Sequence, residues 1–236
     1  MSNIGITLNW IFGTCDDDNI KGTNGSDTSD IFFGFGGKDN FVGFDGDDYI
    51  FGGWNEDRLF GGRGNDFVSG GFGDDYLSGG LGNDSLYGGF GDDIIFDYSG
   101  NNFISGGWGS DTIVIGDGES VLSGGLGKDS FVFTNRMAIG VPDQPVSSND
   151  IDVKAEVLDF NIFHDKLVFD FGRDTNDDGI RDTFLDSADD LTLSYNECGW
   201  AVFSSDEYNV EVTLNGITSN YIDYAEHKGI DLFEFA

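Results

Sequence analysis

From Gly34 to Val132 an apolar residue returns at every ninth position without one slip of phase, and an acidic residue usually stands two places before it. With a degenerate unit from Gly25 to Phe33 counted first, twelve units of the form Gly-Gly-x-Gly-x-Asp-x-apolar-x follow one another. Position eight is Phe32, Phe41, Ile50, Leu59, Val68, Leu77, Leu86, Ile95, Ile104, Ile113, Leu122 and Phe131, apolar throughout, while position six is acidic in ten units. Side chains two apart on a strand share a face, so positions six and eight point the same way. A helix does not tolerate this pattern, because each unit carries several glycines and each costs about 1 kcal/mol relative to alanine in a helix interior. Glycine serves turns that need positive φ. Each unit therefore predicts a six-residue turn and a three-residue strand, too short to bury its own apolar residue, and a core forms only when units stack.

These units resemble the repeats-in-toxin (RTX) family of calcium-binding nonapeptides. The resemblance spans residues 25–132 and is carried by copies such as Gly61-Gly-Arg-Gly-Asn-Asp66-Phe-Val68-Ser and Gly70-Gly-Phe-Gly-Asp-Asp75-Tyr-Leu77-Ser. It implies an all-β chain built on a right-handed parallel β-roll of about six turns, two units to a turn, rising about 4.8 Å per turn at ordinary strand spacing. Residues 1–24 then form an N-terminal cap, and residues 133–236 a β-rich C-terminal capping region that carries a secretion signal.

Stacking at 18 residues sorts position six into two rows. The first is Asp30, Asp48, Asp66, Asp84, Asn102, Ser120; the second is Asp39, Asp57, Asp75, Asp93, Asp111, Asp129. Carboxylates about 5 Å apart repel by roughly 1 kcal/mol in water and several-fold more in a protein environment. Calcium removes the conflict, because a hard cation accepts aspartate oxygens together with backbone carbonyls from the glycine-rich turns. Pairing neighbours along each row, as the resemblance implies, gives five sites in the second row and three in the first, about eight ions in all. The first row thins after Asp84, where the same two units also exchange their leading glycine for Asp97 and Ile115; Asn55 at position four puts the turn before Asp57 in question.

The net charge of −33 sharpens this picture. It disfavours nucleic acid and anionic membranes as partners and favours divalent cations. Eight ions would offset about half of it, so folding is expected to depend on calcium, with weak affinities of about 10⁻⁴ to 10⁻³ M as in extracellular modules. A further ion is expected near Asp174, Asn176, Asp178 and Asp182, whose spacing follows the start of an EF-hand loop, although Leu185 stands where that loop needs glutamate. A truncated site and a solvated acidic turn are the two readings of this stretch.

No segment approaches the length of a membrane span, and Met1–Phe12 has neither the basic region nor the apolar run of a cleaved leader. The ending Asp231-Leu-Phe-Glu-Phe-Ala236 resembles that of type I secretion substrates, and Val157–Phe169 resembles the sequence that follows the repeats in secreted RTX proteins. Leaderless export to the outside of the cell is the expected route. Cys15 and Cys198, far apart in sequence, imply no disulfide framework.

Position three of the second row reads Gly36, Trp54, Phe72, Phe90, Trp108, Leu126, an apolar stripe on the outside of the turns. Three coverings are open: packing by the C-terminal region, stacking on an extracellular polysaccharide, or another protein surface. Catalytic motifs are lacking. His164 and His227 belong to no His-Glu-x-x-His, no Gly-x-Ser-x-Gly occurs, and the paired carboxylates are explained by calcium. The sequence thus predicts a secreted calcium-binding protein, structural, adhesive or interacting, without its own catalytic site. The alternative is an accessory substrate-binding module of a polysaccharide-active system, resembling the repeat modules of alginate epimerases.

Overall fold

A computed structural model describes residues 7–24, 28–134, 152–170, 191–205 and 209–235. The nine-residue period becomes a coil that alternates between two parallel sheets. The first sheet receives β1 (Thr7–Phe12), β3 (Thr28–Gly36), β5 (Tyr49–Trp54), β7 (Phe67–Phe72), β9 (Ser85–Phe90) and β11 (Phe103–Trp108); the second receives β2 (Asn19–Lys21), β4 (Asn40–Asp45), β6 (Arg58–Arg63), β8 (Tyr76–Leu81) and β10 (Ile94–Ser99). The long β12 (Thr112–Leu126) serves both, its first half pairing with β10 and β13 (Ser130–Thr134) and its second with β11 and β14 (Val153–Val157). The result is an all-β parallel roll of about seven turns.

Register follows the sequence. Ile50 lies against Val68 and Leu59 against Leu77, each pair 18 residues apart. All twelve position-eight side chains have no exposed surface and form a single apolar column between the sheets. No strand could bury its one or two apolar residues alone; each rung is completed by the rungs on either side.

The coil begins earlier than the repeat. β1 pairs in parallel with β3, Ile11 against Phe32, and β2 with β4, Ile20 against Phe41, both at a spacing of 21 residues. The extra residues fall between Gly22 and Asp30, which is why the phase is lost to the eye there. These two rungs bring the coil beyond the six turns expected from twelve units.

At the other end, β14 and β15 (Lys166–Asp170) continue the two sheets, followed by β18 (Val210–Leu214) and β19 (Phe233–Phe235). The only antiparallel pairing among the described residues is here: β17 (Ala201–Ser205) runs against β18 and against β16 (Thr192–Tyr195). A hairpin turn at Asn196–Gly199 joins β16 to β17; the Asn196 Oδ1 accepts the backbone N–H groups of Cys198 and Trp200, and Gly199 takes φ 78°. Helix α1 (Ser219–Lys228) was not expected. It buries Ile222 and Ala225 and ends at Gly229, whose φ of 65° closes the last turn. Cys15 and Cys198 are free and exposed.

Candidate metal centre

Every turn of the roll is shaped by where glycine is needed and why. Positions two and four take positive φ, as at Gly62 (125°) and Gly64 (133°), a region that L side chains avoid. Asn55 holds φ 75° in the place of a glycine and keeps its turn, since asparagine tolerates the left-handed region. Position one is different. Gly61, Gly70 and Gly88 have ordinary φ, yet a Cβ on Gly61 would run into Asp66 Oδ2 and the Gly79 carbonyl, and the same clash recurs along both edges. Position one is glycine to leave room beside the carboxylate.

The position-six aspartates line the inner corners of those turns. Asp39, Asp48, Asp57, Asp66, Asp75, Asp84, Asp93, Asp111 and Asp129 are at most 2% exposed. One oxygen of each is tied down. The backbone N–H of Asp48 donates to Asp66 Oδ1 at 2.7 Å, that of Asp57 to Asp75 Oδ1 at 2.8 Å, and that of Asp93 to Asp111 Oδ1 at 2.8 Å, each across 18 residues. The other oxygen has no partner. Oδ2 of Asp39, Asp48, Asp57, Asp66, Asp75, Asp84, Asp93 and Asp111 is buried without a hydrogen-bond donor.

Such oxygens are costly unless something positive reaches them. Burial pushes the carboxyls of Asp48, Asp57 and Asp75 up from the ordinary 3.8 to about 7, and those of Asp66 and Asp93 to about 8, against the opposing pull of the backbone N–H bonds. Neighbouring carboxylates in the row raise them further. Asp84, Asp111 and Asp129 rise to about 6 and Asp39 rises as well, again chiefly through burial.

Donor chemistry and space both fit calcium: hard carboxylate oxygens beside carbonyl oxygens, in a corner kept open by glycine. Among the described residues no three His, Cys, Asp or Glu side chains converge on one point, so a cation in these corners would draw its remaining oxygens from the main chain or from water. This is the division of labour that hard cations accept and zinc does not.

The ends and gaps of the rows are also visible. Asp30 has both oxygens occupied, Oδ1 by Asn9 Nδ2 at 2.8 Å and Oδ2 by the Thr23 N–H at 2.6 Å. In its unit Gly22, not Gly25, fills the position-one corner, where a Cβ would meet Asp30 Oδ2 and the Gly43 carbonyl. The second row runs on at both ends: Asp18 donates its N–H to Asp39 Oδ1 at 2.9 Å, and Asp129 donates to Asp165 Oδ1 at 3.1 Å. Asp165 closes that row, its Oδ2 accepting the Asn161 N–H at 2.7 Å. Asp159 caps the adjoining corner by accepting the N–H groups of Gly124 and Gly125, each at 2.9 Å. Asp18 stands 21 residues before Asp39 and so falls out of phase, whereas Asp165 lies 36 residues after Asp129, in phase with the repeat but beyond the point where its glycines end. In the first row Asn102 donates from Nδ2 to the Ser99 and Gly100 carbonyls at 3.4 and 3.3 Å, and one turn later Ile115, 1% exposed, fills the position-one corner with hydrocarbon.

The EF-hand-like stretch with Asp174, Asn176, Asp178 and Asp182 lies outside the described residues. His164 and His227 are exposed. Among the described residues nothing covers the position-three stripe: Trp54, Phe72, Phe90, Trp108 and Leu126 are all between 42 and 62% exposed. Trp54, Phe72 and Phe90 stack at centroid distances of 4.4 and 4.8 Å, and Trp108 meets Phe90 at 5.3 Å with its ring tilted by 44°.

Two parallel sheets wound around an apolar column, with buried carboxylate rows at their corners, define a calcium-binding β-roll protein. The family profile of the RTX calcium-binding nonapeptide repeat matches residues 25–57, 33–68, 51–86, 79–113 and 87–122, and this chain carries those repeats. No curated protein sequence matches the chain at a significant level. Among solved structures the chain is similar to the extracellular lipase LipA from Serratia marcescens, at 18% identity and a TM-score of 0.31, with 97% of this chain and 40% of the lipase covered. It is also similar to the AlgE6R3 subunit of the Azotobacter vinelandii mannuronan C5-epimerase, at 18% identity and a TM-score of 0.24, with 93% of this chain and 80% of that one covered. The chain thus spans well under half of the lipase. No helix among the described residues is long and apolar enough to cross a membrane.

Proposed function

We propose that this is a secreted protein whose roll folds when calcium reaches it outside the cell, and that it serves a structural, adhesive or interaction role rather than a catalytic one. One observation carries the reading: eight position-six aspartates each present a buried oxygen with no donor, in corners that glycine keeps open. Bound calcium supplies the positive charge that those oxygens lack. The aspartates supply one carboxylate oxygen per corner and hold it still through the N–H bond on the other. Inside a cell, where calcium is scarce, the same oxygens repel one another and keep the chain open, a state suited to leaderless type I export. Outside, binding free energy becomes folding free energy.

Far-UV circular dichroism during a calcium titration, with native mass spectrometry of the loaded chain, tests this. The expected result is a cooperative gain of β-structure in the millimolar range and about eight bound ions. A chain already fully folded in chelator, unchanged by calcium, would falsify the reading.

The exposed stack from Trp54 to Trp108 favours a second reading, an accessory module that holds a polysaccharide for a separate enzyme. The rings lean on one another and present an exposed apolar ridge, against which the C–H groups of a polymer can pack. Calcium-dependent binding to a glycan panel would support it, and silence across neutral and anionic polymers would remove it.

A further inference from the structure

Asp97 stands at position one of its unit, where the neighbouring units carry Gly79, Gly88 and Gly106. It is 1% exposed. Its Oδ1 accepts the Ser99 N–H at 3.3 Å, while its Oδ2 has no hydrogen-bond donor. That oxygen is aimed at the same point as Asp84 Oδ2. A Cβ on Gly79 would touch both, whereas one turn earlier a Cβ on Gly61 would touch Asp66 Oδ2 and only a main-chain carbonyl beside it. Asp84 Oδ2 is likewise without a donor.

The residue that should complete this corner by the 18-residue rule is Asn102, and it brings no charge. Its Oδ1 accepts the Asp84 N–H at 2.8 Å and its amide donates to the Ser99 and Gly100 carbonyls. Asp97 delivers from position one the second carboxylate that position six has lost. Two buried carboxylate oxygens that face each other with no N–H between them repel, and a cation with an appetite for oxygen ligands resolves the conflict.

We propose that Asp84 and Asp97 together form a calcium site whose composition the nonapeptide does not encode, carrying the first row one site beyond Asp84. The proposal rests on reading the aspartate rows as calcium sites. The row then stops, because in the next corner the Asn102 amide occupies the carbonyls and Ile115 fills the space.

Native mass spectrometry of the calcium-loaded full chain decides the matter by counting ions in wild type, D97N, D97G and D66N. D97N and D97G are each expected to hold one ion fewer than wild type while keeping the β-spectrum. D97G also restores the glycine found elsewhere at position one, so it carries the count if D97N fails to fold. Were Asp97 a mere spacer, D97G would keep the wild-type count, and that result overturns the proposal. D66N separates the two levels: a lost ion in D66N with none lost in the Asp97 variants sinks only the Asp97 site, while a full count in D66N as well sinks the reading of the rows.

Discussion

The backbone N–H of Asp48 donates to Oδ1 of Asp66 at 2.7 Å, and the bond recurs at each rung of both edges as far as the aspartates continue. It fixes each carboxylate against the turn before it and leaves the other oxygen bare. The geometry of the candidate sites is therefore part of the β-ladder, and metal and fold are expected to respond together.

Acidity should stand in for calcium in part. In the unfolded chain these carboxyls titrate near 3.8, whereas in the roll Asp48, Asp57 and Asp75 titrate at about 7 and Asp66 and Asp93 at about 8. Between those limits the metal-free folded state binds more protons than the unfolded one, so its stability is greatest at low pH and is lost as pH rises through about 7 to 8. Circular dichroism in chelator is expected to show more β-structure at pH 5 than at pH 8, and the calcium midpoint should rise as pH falls and protons compete. Metal-free order that increases with pH contradicts the buried-carboxylate assignment.

Two glycines separate space from conformation. Gly70 has ordinary φ, and a Cβ there would meet Asp75 Oδ2; Gly199 has φ 78° with nothing within 4 Å of an added Cβ. Gly70→Ala is expected to raise the calcium midpoint several-fold while leaving backbone propensity unharmed. Gly199→Ala should cost about 1 kcal/mol through its φ alone and leave the midpoint unchanged. Equal midpoints for the two variants would mean that position one is not reserved for the site.

Much of this was legible because a strict nine-residue period leaves so little freedom. Once Leu59 and Leu77 are known to stack, every apolar position is placed, and all twelve are fully buried. Three features escaped for physical reasons. Gly13, Asp18 and Ile20 repeat positions one, six and eight, but the extra residues between Gly22 and Asp30 shift their phase and hide them. Asp97 reads in sequence as a lost glycine, and only the fold brings it to Asp84. Helix α1 had cap residues at Thr218 and Gly229, yet it buries only Ile222 and Ala225, too few to announce a helical period.

Charge at position six should matter where charge at position five does not. Asp75 is buried with a bare Oδ2, while Asp74 next to it is exposed and uses Oδ1 to accept the Asp92 N–H at 2.9 Å. Asp75→Asn keeps shape and removes charge; it is expected to lower the stability of the calcium-loaded roll by about 1–3 kcal/mol and to reduce the ion count. Asp74→Asn keeps its oxygen and should stay within about 0.5 kcal/mol of wild type. Thermal unfolding in saturating calcium measures both.

The aromatic stripe should be dispensable for folding. Trp54 and Trp108 are 62 and 59% exposed, so most of their surface is already in water in the folded state. What truncation removes is a stacked contact with Phe72 and a tilted one with Phe90, worth about 0.5–1.5 kcal/mol per pair. Leu77 sets the contrasting scale: it is fully buried between rungs, and Leu77→Ala should cost about 2–5 kcal/mol. The double variant Trp54→Ala, Trp108→Ala is therefore expected to fold at nearly the wild-type calcium midpoint and lose far less thermal stability than Leu77→Ala. If binding to a glycan or a protein disappears in the same variant, the stripe is a recognition surface. A loss of stability as large as that of Leu77→Ala would instead mean that the stripe is covered in solution and belongs to the core.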